Sequence, residues 1–472
     1  MSAPVIWILV PFIAAIALMF LQRGRGTSIQ GVVLCLTLAA IALIIPIDTA
    51  LTLGPFSIKI AGSVQLLGRS FQFTQPDEPI LALIFGLAAL WFFGTEAAEA
   101  DRRFIPLGLG IIALLIASLA VEPFLYAALL IEIAALLAIP LLVNLPSVGI
   151  QTADQSHRGV LRFLIYQTLA MPFILFSGWM LAGVEASPGD LALTAQSGLM
   201  LVMGFAFLLA IFPLYNWIPM VAEESSPYIL GFLLWLLPTF AMILALGFLD
   251  RYAWMRTSVQ LTEMIRLAGL VLVVSGGWFA AFQRHLGRMM AYAAVAETGL
   301  AIIAVSLQST LTTDLVFLLF IPRGLNLAVW ALGLSIIKGN LHSLHFDSLQ
   351  GLARSYPLAT TGVILAHLSM AGLPLLAGFP PRLALWEQLA QISLGLAAWL
   401  LVGFFGLLVG AFRSLSVLCT TQERIAWQWK ETRIQDVMLI TGVFLLLALG
   451  LFPQLMQPLL RQLPAMFEHL AQ

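Results

Sequence analysis

The sequence predicts an all-α integral membrane protein of about 14 transmembrane helices, and three observations carry that reading. Only 10% of the 472 residues are charged while 61% are hydrophobic, with a mean hydropathy of +1.01. A water-facing globular protein uses roughly 25% charged residues, so lipid must be the solvent for most of this chain. Apolar runs close to the roughly 20 residues that cross a ~30 Å hydrocarbon layer recur along the whole length. These runs are unbroken instead of alternating over roughly ten-residue segments. That selects helices over a barrel, because a helix satisfies its own backbone in lipid.

The runs lie at about 4–22, 30–53, 77–95, 104–121, 123–143, 159–182, 197–217, 228–249, 264–283, 289–307, 313–337, 357–391, 393–415 and 436–455, within a single membrane domain of residues 1–472. No basic stretch precedes the first run, and Arg23 and Arg25 follow it, which predicts a retained span in place of a cleaved leader. The third opens on Asp77 and Glu78 and is the least regular. Polar stretches at 54–76, 144–158, 339–356 and 417–435 are predicted to be loops or short surface helices. Lys and Arg concentrate in alternate loops, with Arg102, Arg103, Arg284, Arg288, Lys338, Lys430 and Arg433 on one side. The positive-inside rule places that side in the cytoplasm and both termini outside, in an inner (plasma) membrane or an equivalent energy-transducing membrane.

A net charge of −1 gives no footing for nucleic acid. The two cysteines, Cys35 and Cys419, lie in or beside apolar runs and read as small buried residues. With no CxxC and no Cys/His cluster, neither a metal centre nor a cofactor is expected on this chain. It carries no glycine-rich nucleotide loop and no nucleophile–base arrangement, so catalysis by the chain alone is not expected.

Ionisable groups within the bilayer cost roughly 2.5–3.5 kcal/mol each on insertion scales, so those present are candidates for function. Glu132 lies in the middle of span 5, Glu297 in span 10, Arg323 in span 11, and His367, Arg382 and Glu387 in span 12. His367 titrates near neutrality when unperturbed and is a candidate proton carrier. The plainer reading is that each group pairs with a neighbour and fixes helix packing, with Arg382 reaching toward an interface.

Prolines supply a second signal. Pro213 interrupts span 7 in AIFPLYNWIP, and Pro374 interrupts span 12 in MAGLPLLAGFPP. A proline in mid-membrane removes a helix hydrogen bond and frees a carbonyl that lipid cannot satisfy. Breaks at matching places in two halves point to an ion path. Their five-span separation suggests two inverted five-helix repeats, spans 4–8 (residues 104–249) and spans 9–13 (residues 264–415), with helices 7 and 12 discontinuous. Ordinary proline kinks are the alternative.

Three blocks then carry a resemblance. FPLYNWIPMVAEESSPYILGFLL resembles the signature FPLHxWLPxAxxxAPxPVSxLL of the proton-translocating antiporter-like subunits of respiratory complex I and of Mrp-type Na+/H+ antiporters. RHLGRMMAYAAVAETG resembles DLKRxLAYSSIxxxG, and MAGLPLLAGFPPR resembles LxGxPPxxGFxxK. The blocks keep the family's order and spacing, and the resemblance covers roughly residues 70–415.

The resemblance implies a charged mid-membrane axis of a span 5 Glu and Lys or His residues in spans 7, 8, 11 and 12. Along it a proton moves, driven by quinone reduction elsewhere in the complex. Glu132 matches the span 5 Glu. The span 7 Lys falls on Leu208, the span 8 Lys near Pro238 or Trp235, the span 11 Lys near Asn326 with Arg323 one turn earlier, and the span 12 Lys on Arg382. The histidine of FPLH is Tyr215. The chain has only three lysines, Lys59, Lys338 and Lys430, none of them mid-membrane. Leu and Pro carry no titratable proton, and Arg holds its own at any plausible pH.

Three functions follow as expectations. The first is a membrane-arm subunit of a complex I-like NADH (or other donor):quinone oxidoreductase, contributing to proton translocation through Glu297, Arg323, His367 and Arg382. The second is a non-conducting structural subunit that has lost the relay. The third is a subunit of an Mrp-type cation/proton antiporter or a related ion-uptake complex. All three place other membrane subunits and the lipid bilayer as partners.

Overall fold

The computed structural model describes residues 2–20, 26–53, 56–66, 68–143, 157–186, 190–307, 312–420, 427–467 and 469–470. The expected loop at 144–158 lies almost wholly outside the described residues. Within them the protein is an all-α integral, multi-pass membrane protein. Ten of its helices are long and apolar enough to cross a membrane, and four shorter apolar helices accompany them.

The helices follow the apolar runs. The first half holds α1 (Val5–Phe20), α2 (Gly26–Ile44), α3 (Glu78–Phe93), α4 (Phe104–Ala120), α5 (Ala127–Leu142), α6 (Arg158–Ala186), α7 (Leu191–Leu208), α8 (Trp217–Glu224) and α9 (Pro227–Arg251). A short α10 (Ala253–Thr257) leads into α11 (Val259–Phe282), α12 (Leu286–Val305), α13 (Thr312–Leu341), α14 (Pro357–Met370), α15 (Phe379–Ile392), α16 (Leu394–Cys419), α17 (Arg433–Leu451) and α18 (Gln457–Leu460).

The stretch 54–76, expected as loop or surface helix, is instead mostly strand. Strands β1 (Ala50–Leu53) and β2 (Phe56–Lys59) form one antiparallel hairpin. A second hairpin pairs β3 (Ser63–Leu66) with β4 (Arg69–Gln72), and β5 (Val121–Glu122) adds to its edge with Phe71 opposite Val121. The reason is legible in hindsight: SVQL alternates polar and apolar residues ahead of Gly68, a period of two that no helix uses.

Burial sorts the helices into an inner and an outer set. In α9, α12 and α13, 89% of the apolar window is buried, against 28% for α17 and 33% for α2 and α6. The outer helices expose large apolar side chains such as Val33, Leu267, Phe405 and Phe444, which is what a lipid-facing surface requires. An aromatic cluster of Trp91, Phe104, Tyr228, Phe232 and Trp235 ties α3 and α4 to α9. The Tyr228 hydroxyl donates to the Trp91 carbonyl at 2.6 Å, and its amide donates to Ser335 Oγ on α13. In the second half α11 crosses α16 at backbone contact. A Cβ on Gly277 would lie 2.1 Å from the Gly403 carbonyl oxygen, so only glycine permits the crossing.

Two helical runs are interrupted. Between α7 and α8 the chain leaves helical geometry over residues 209–213, with Ala210 at φ +51°. Between α14 and α15 it does so over residues 371–378, with Gly372 and Leu375 at positive φ.

Candidate functional site

Both interrupting prolines, Pro213 and Pro374, point to the outside of this chain, beside the exposed Phe212 and Leu375. From the sequence the breaks were expected to mark an ion path. What turns inward at the breaks is different: Tyr215 at the first and Arg382 at the second, both buried.

The second break builds the polar centre. Gly378 caps α15 and its amide donates to Ser369 Oγ at 3.0 Å, closing the gap back onto α14. A Cβ at Gly378 would strike both the Ser369 carbonyl and the Arg382 guanidinium, so glycine is required there. Arg382, in the first turn of α15, donates from Nη1 to the Gly378 carbonyl at 2.6 Å and from Nη2 to Glu297 on α12. The Arg382 and Glu297 side chains are each only 3% exposed. Arg382 therefore turns into the protein and does not reach toward an interface. Glu387, on the same helix, is exposed.

The next residue on α12 continues the chain of bonds. Thr298 donates to Ala294 within its helix and accepts from Arg323 Nη2 at 2.9 Å. The same Nη2 donates to the Leu234 carbonyl on α9 at 2.8 Å. Leu234 lies four residues before Pro238, so its carbonyl is the one that the proline leaves without a helical donor. Arg323 supplies that donor. Pro238 and Arg323 are thus coupled through one carbonyl.

From Arg323, one face of α13 presents Asn326 and Trp330 at helical spacing. Asn326 is fully buried, and neither of its amide atoms has a hydrogen-bond partner among the described residues. Trp330 stacks on His367 of α14 with ring centroids 4.4 Å apart. His367 is fully buried, with the Leu407 carbonyl a polar group facing it and, among the described residues, no well-aligned bond to either ring nitrogen. The structure thus gathers Glu297, Arg323, His367, Arg382 and Asn326 on the α12–α13–α14–α15 side.

The first half differs. Leu208 and Pro238 line a cavity of about 20 Å³, room for about one water. Its walls are apolar apart from Gln167, Thr298 and the Trp217 indole. Glu132 is not among those walls. It lies on α5 about 15 Å along the axis from Leu142, the α5 residue that does line the cavity. Among the described residues Glu132, though buried, makes no hydrogen bond or ion pair.

Residues 190–409 match the family described as "NADH:quinone oxidoreductase/Mrp antiporter, TM". Subunit N 2 of the NADH-quinone oxidoreductase of Thermodesulfovibrio yellowstonii is 26% identical over 265 residues, 54% of this chain and 55% of that protein. Through that segment the chain is similar to the antiporter-like membrane subunits. It spans about half the length of the curated relatives it matches. The fold is shared over the whole length. A chain of the Mrp complex from a Dietzia species superposes with a TM-score of 0.84 at 14% identity, covering 100% of this chain and 99% of that one. A chain of respiratory complex I from Thermus thermophilus superposes at 0.74 and 19% identity, covering 99% and 100%.

A polar seam at the end of α8 was not expected from the sequence. Glu223 and Glu224 stand in the AEESS stretch of the first family block. Glu224 accepts from the Gly159 and Val160 amides, capping α6 at 2.9 and 3.3 Å. Glu223 closes on Arg288 of α12 through both carboxylate oxygens, at 2.6 and 2.7 Å. Lys338 of α13 donates to the Ser225 carbonyl at 2.7 Å. His285 caps α12, accepting from the Arg288 amide at Nδ1. The signal was the acidic pair itself, since acids favour helix N-termini and arginines.

Donor atoms of Glu223, His285 and His345 come within 4.8 Å of one another, a spacing open to a metal ion. Their bonds argue otherwise. A neutral imidazole that accepts at Nδ1 carries its proton on Nε2, the atom a metal would need. Arg288 already holds both Glu223 oxygens. The trio is a packed junction between α8, α12 and the segment after α13.

Proposed function

We propose that this chain is a membrane subunit of a multi-subunit respiratory-type assembly, complex I-like or Mrp-like, and that it does not itself carry protons across the membrane. In this reading the apolar helices form fourteen spans. The α7–α8 and α14–α15 pairs count as spans 7 and 12, and two inverted repeats run from α4 to α9 and from α11 to α16. The breaks occupy the fourth span of each repeat, which supports the assignment. Other membrane subunits flank the chain, and both termini lie outside an energy-transducing membrane. The chain has no catalytic site of its own.

The observation that carries the non-conducting reading is the nearly filled apolar cavity at Leu208 and Pro238. A relay there needs several waters or titratable groups in line, and about one water fits. Arginine at 323 and 382 keeps the field of a cation without releasing its proton.

A second reading, proton movement confined to the second half, draws on the unpartnered Asn326 amide and the buried His367. A buried polar group without a protein partner is a place where an ordered water can bond.

The test reconstitutes the purified assembly in proteoliposomes and measures protons moved per electron pair, or cation–proton exchange for an Mrp-type assembly. Glu132→Gln and the charge-neutral double variant Glu297→Gln/Arg382→Met leave the ratio unchanged under this proposal. A lowered ratio in either, with the assembly intact, overturns it.

A further inference from the structure

The membrane-facing seam between the two halves contains a cleft. Helix α7 packs on α6 and α9, whereas α11 packs on α12 and α16, so the two outer helices diverge. Between them, floored by α9 and α12, lies about 170 Å³ of room whose every lining residue is apolar. Leu201, Phe205, Met242, Ala245, Ala268 and Ile302 span its walls and floor. Its mouth is flanked by Leu199, Met203 and Leu267, all exposed.

Water does not fill an apolar cleft of this kind. Hydrocarbon does, because the opening faces the acyl layer. Charge at one end selects among lipids. Arg266 follows the lining residue Ile265, and its Nη2 reaches the Ser306 carbonyl, at the end of α12, at 3.0 Å. Its Nε has no partner among the described residues. Arg256 follows the lining residue Met255 and bonds the last carbonyls of α9. Both guanidinium groups therefore stand where helices end. Of the acids nearby, Asp250 accepts from the His469 and Leu470 amides, and Glu263 is exposed on α11.

We propose that this cleft is a binding site for one acyl chain of an anionic phospholipid, with its phosphate held at Arg266 and Arg256. Bound there, the lipid seals the seam between the halves and sets the spacing of α7 and α11.

Native mass spectrometry of the full chain, purified in detergent with its co-purifying subunits, tests this with phosphatidylglycerol, phosphatidylcholine and a long-tailed quinone as probes. The expected result is one phosphatidylglycerol retained through delipidation. Ala268→Phe, which fills the cleft, lowers retention by about tenfold or more. Ala245→Leu fills it more gently and lowers retention in the same direction. Arg266→Gln, which leaves the cleft open, lowers the preference for phosphatidylglycerol over phosphatidylcholine about fivefold. Retention unchanged in both cleft-filling variants overturns the site. An Arg266→Gln preference equal to that of the native chain, or displacement of phosphatidylglycerol by equimolar quinone, overturns the assignment of the ligand.

Discussion

Arg323 on α13 donates to the carbonyl of Leu234 on α9, the carbonyl that Pro238 deprives of its helical partner. A proline that would expose backbone in the membrane interior is matched by an arginine from another helix. The pair behaves as one unit, and a double-mutant cycle reads that directly. Arg323→Met leaves the Leu234 carbonyl unbonded and costs about 1–3 kcal/mol of stability. With Pro238→Ala the new amide takes that carbonyl, and the cost of Arg323→Met falls by about 1 kcal/mol. Thermal unfolding of the purified chain measures all four corners. Strict additivity would show that the carbonyl does not couple the two.

The ion pair of Glu297 and Arg382 is buried on both sides, and such pairs are costly to break from one end. Glu297→Gln or Arg382→Met alone is expected to destabilise by about 3–5 kcal/mol, and the double variant by clearly less than the sum. Arg382→Lys keeps the charge but loses the fork that reaches both Gly378 and Glu297, so it falls between. The readout is unfolding midpoint in detergent. A double variant as unstable as the sum of the singles contradicts the pairing.

How much of this is legible in the sequence depends on the kind of signal. Long apolar runs specify helices in lipid with little ambiguity, so α9, α12 and α13 stand where the sequence put spans, whereas the run at 30–53 ends as helix at Ile44 and gives way to β1. The breaks at Pro213 and Pro374 were legible too, because a proline removes a helix hydrogen bond, although α9 continues through Pro238. The strands at 63–72 were missed because their segments are too short to stand out against the apolar background. The direction of each break was missed because proline says where a helix stops, not which way it faces. Arg382 and Glu297 are 85 residues apart in sequence, and nothing local announces their bond. The Arg323 bond to Leu234 was hidden for a related reason. Pro238 read as a lost lysine position, while its physical effect lies one turn earlier.

Acid should loosen the junction at the start of α12. Burial, followed by His345, Lys338 and Arg288, pushes His285 down to about 3 from an ordinary 6.5. The folded protein therefore binds fewer protons than the unfolded chain between those values. Stability contributed at this site is fully present above about pH 6.5 and is lost progressively as pH falls toward about 3. His285→Asn retains an acceptor for the Arg288 amide but does not titrate. The expected result is a shallower fall in melting temperature from about pH 7 to about pH 4 for the variant than for the native chain. Parallel curves would place the acid sensitivity elsewhere.

Glu132 makes a sharper demand on the proposed function. Among the described residues it is buried in α5 with neither hydrogen bond nor counter-charge, and Leu208 offers it none. A buried carboxyl without a partner costs stability in either protonation state. Replacing it with a residue of similar size and no polar atom should recover that cost. Glu132→Leu in the isolated subunit is thus expected to raise stability by about 1 kcal/mol or more. The same substitution in the assembly reads out a second quantity, because a neighbouring subunit that supplied a cation would reverse the sign. Stabilisation in both settings means that Glu132 is a remnant without a task. Stabilisation of the isolated chain with destabilisation of the assembly means that its partner is a cation on the adjoining subunit. Destabilisation in both contradicts the absence of a partner within this chain.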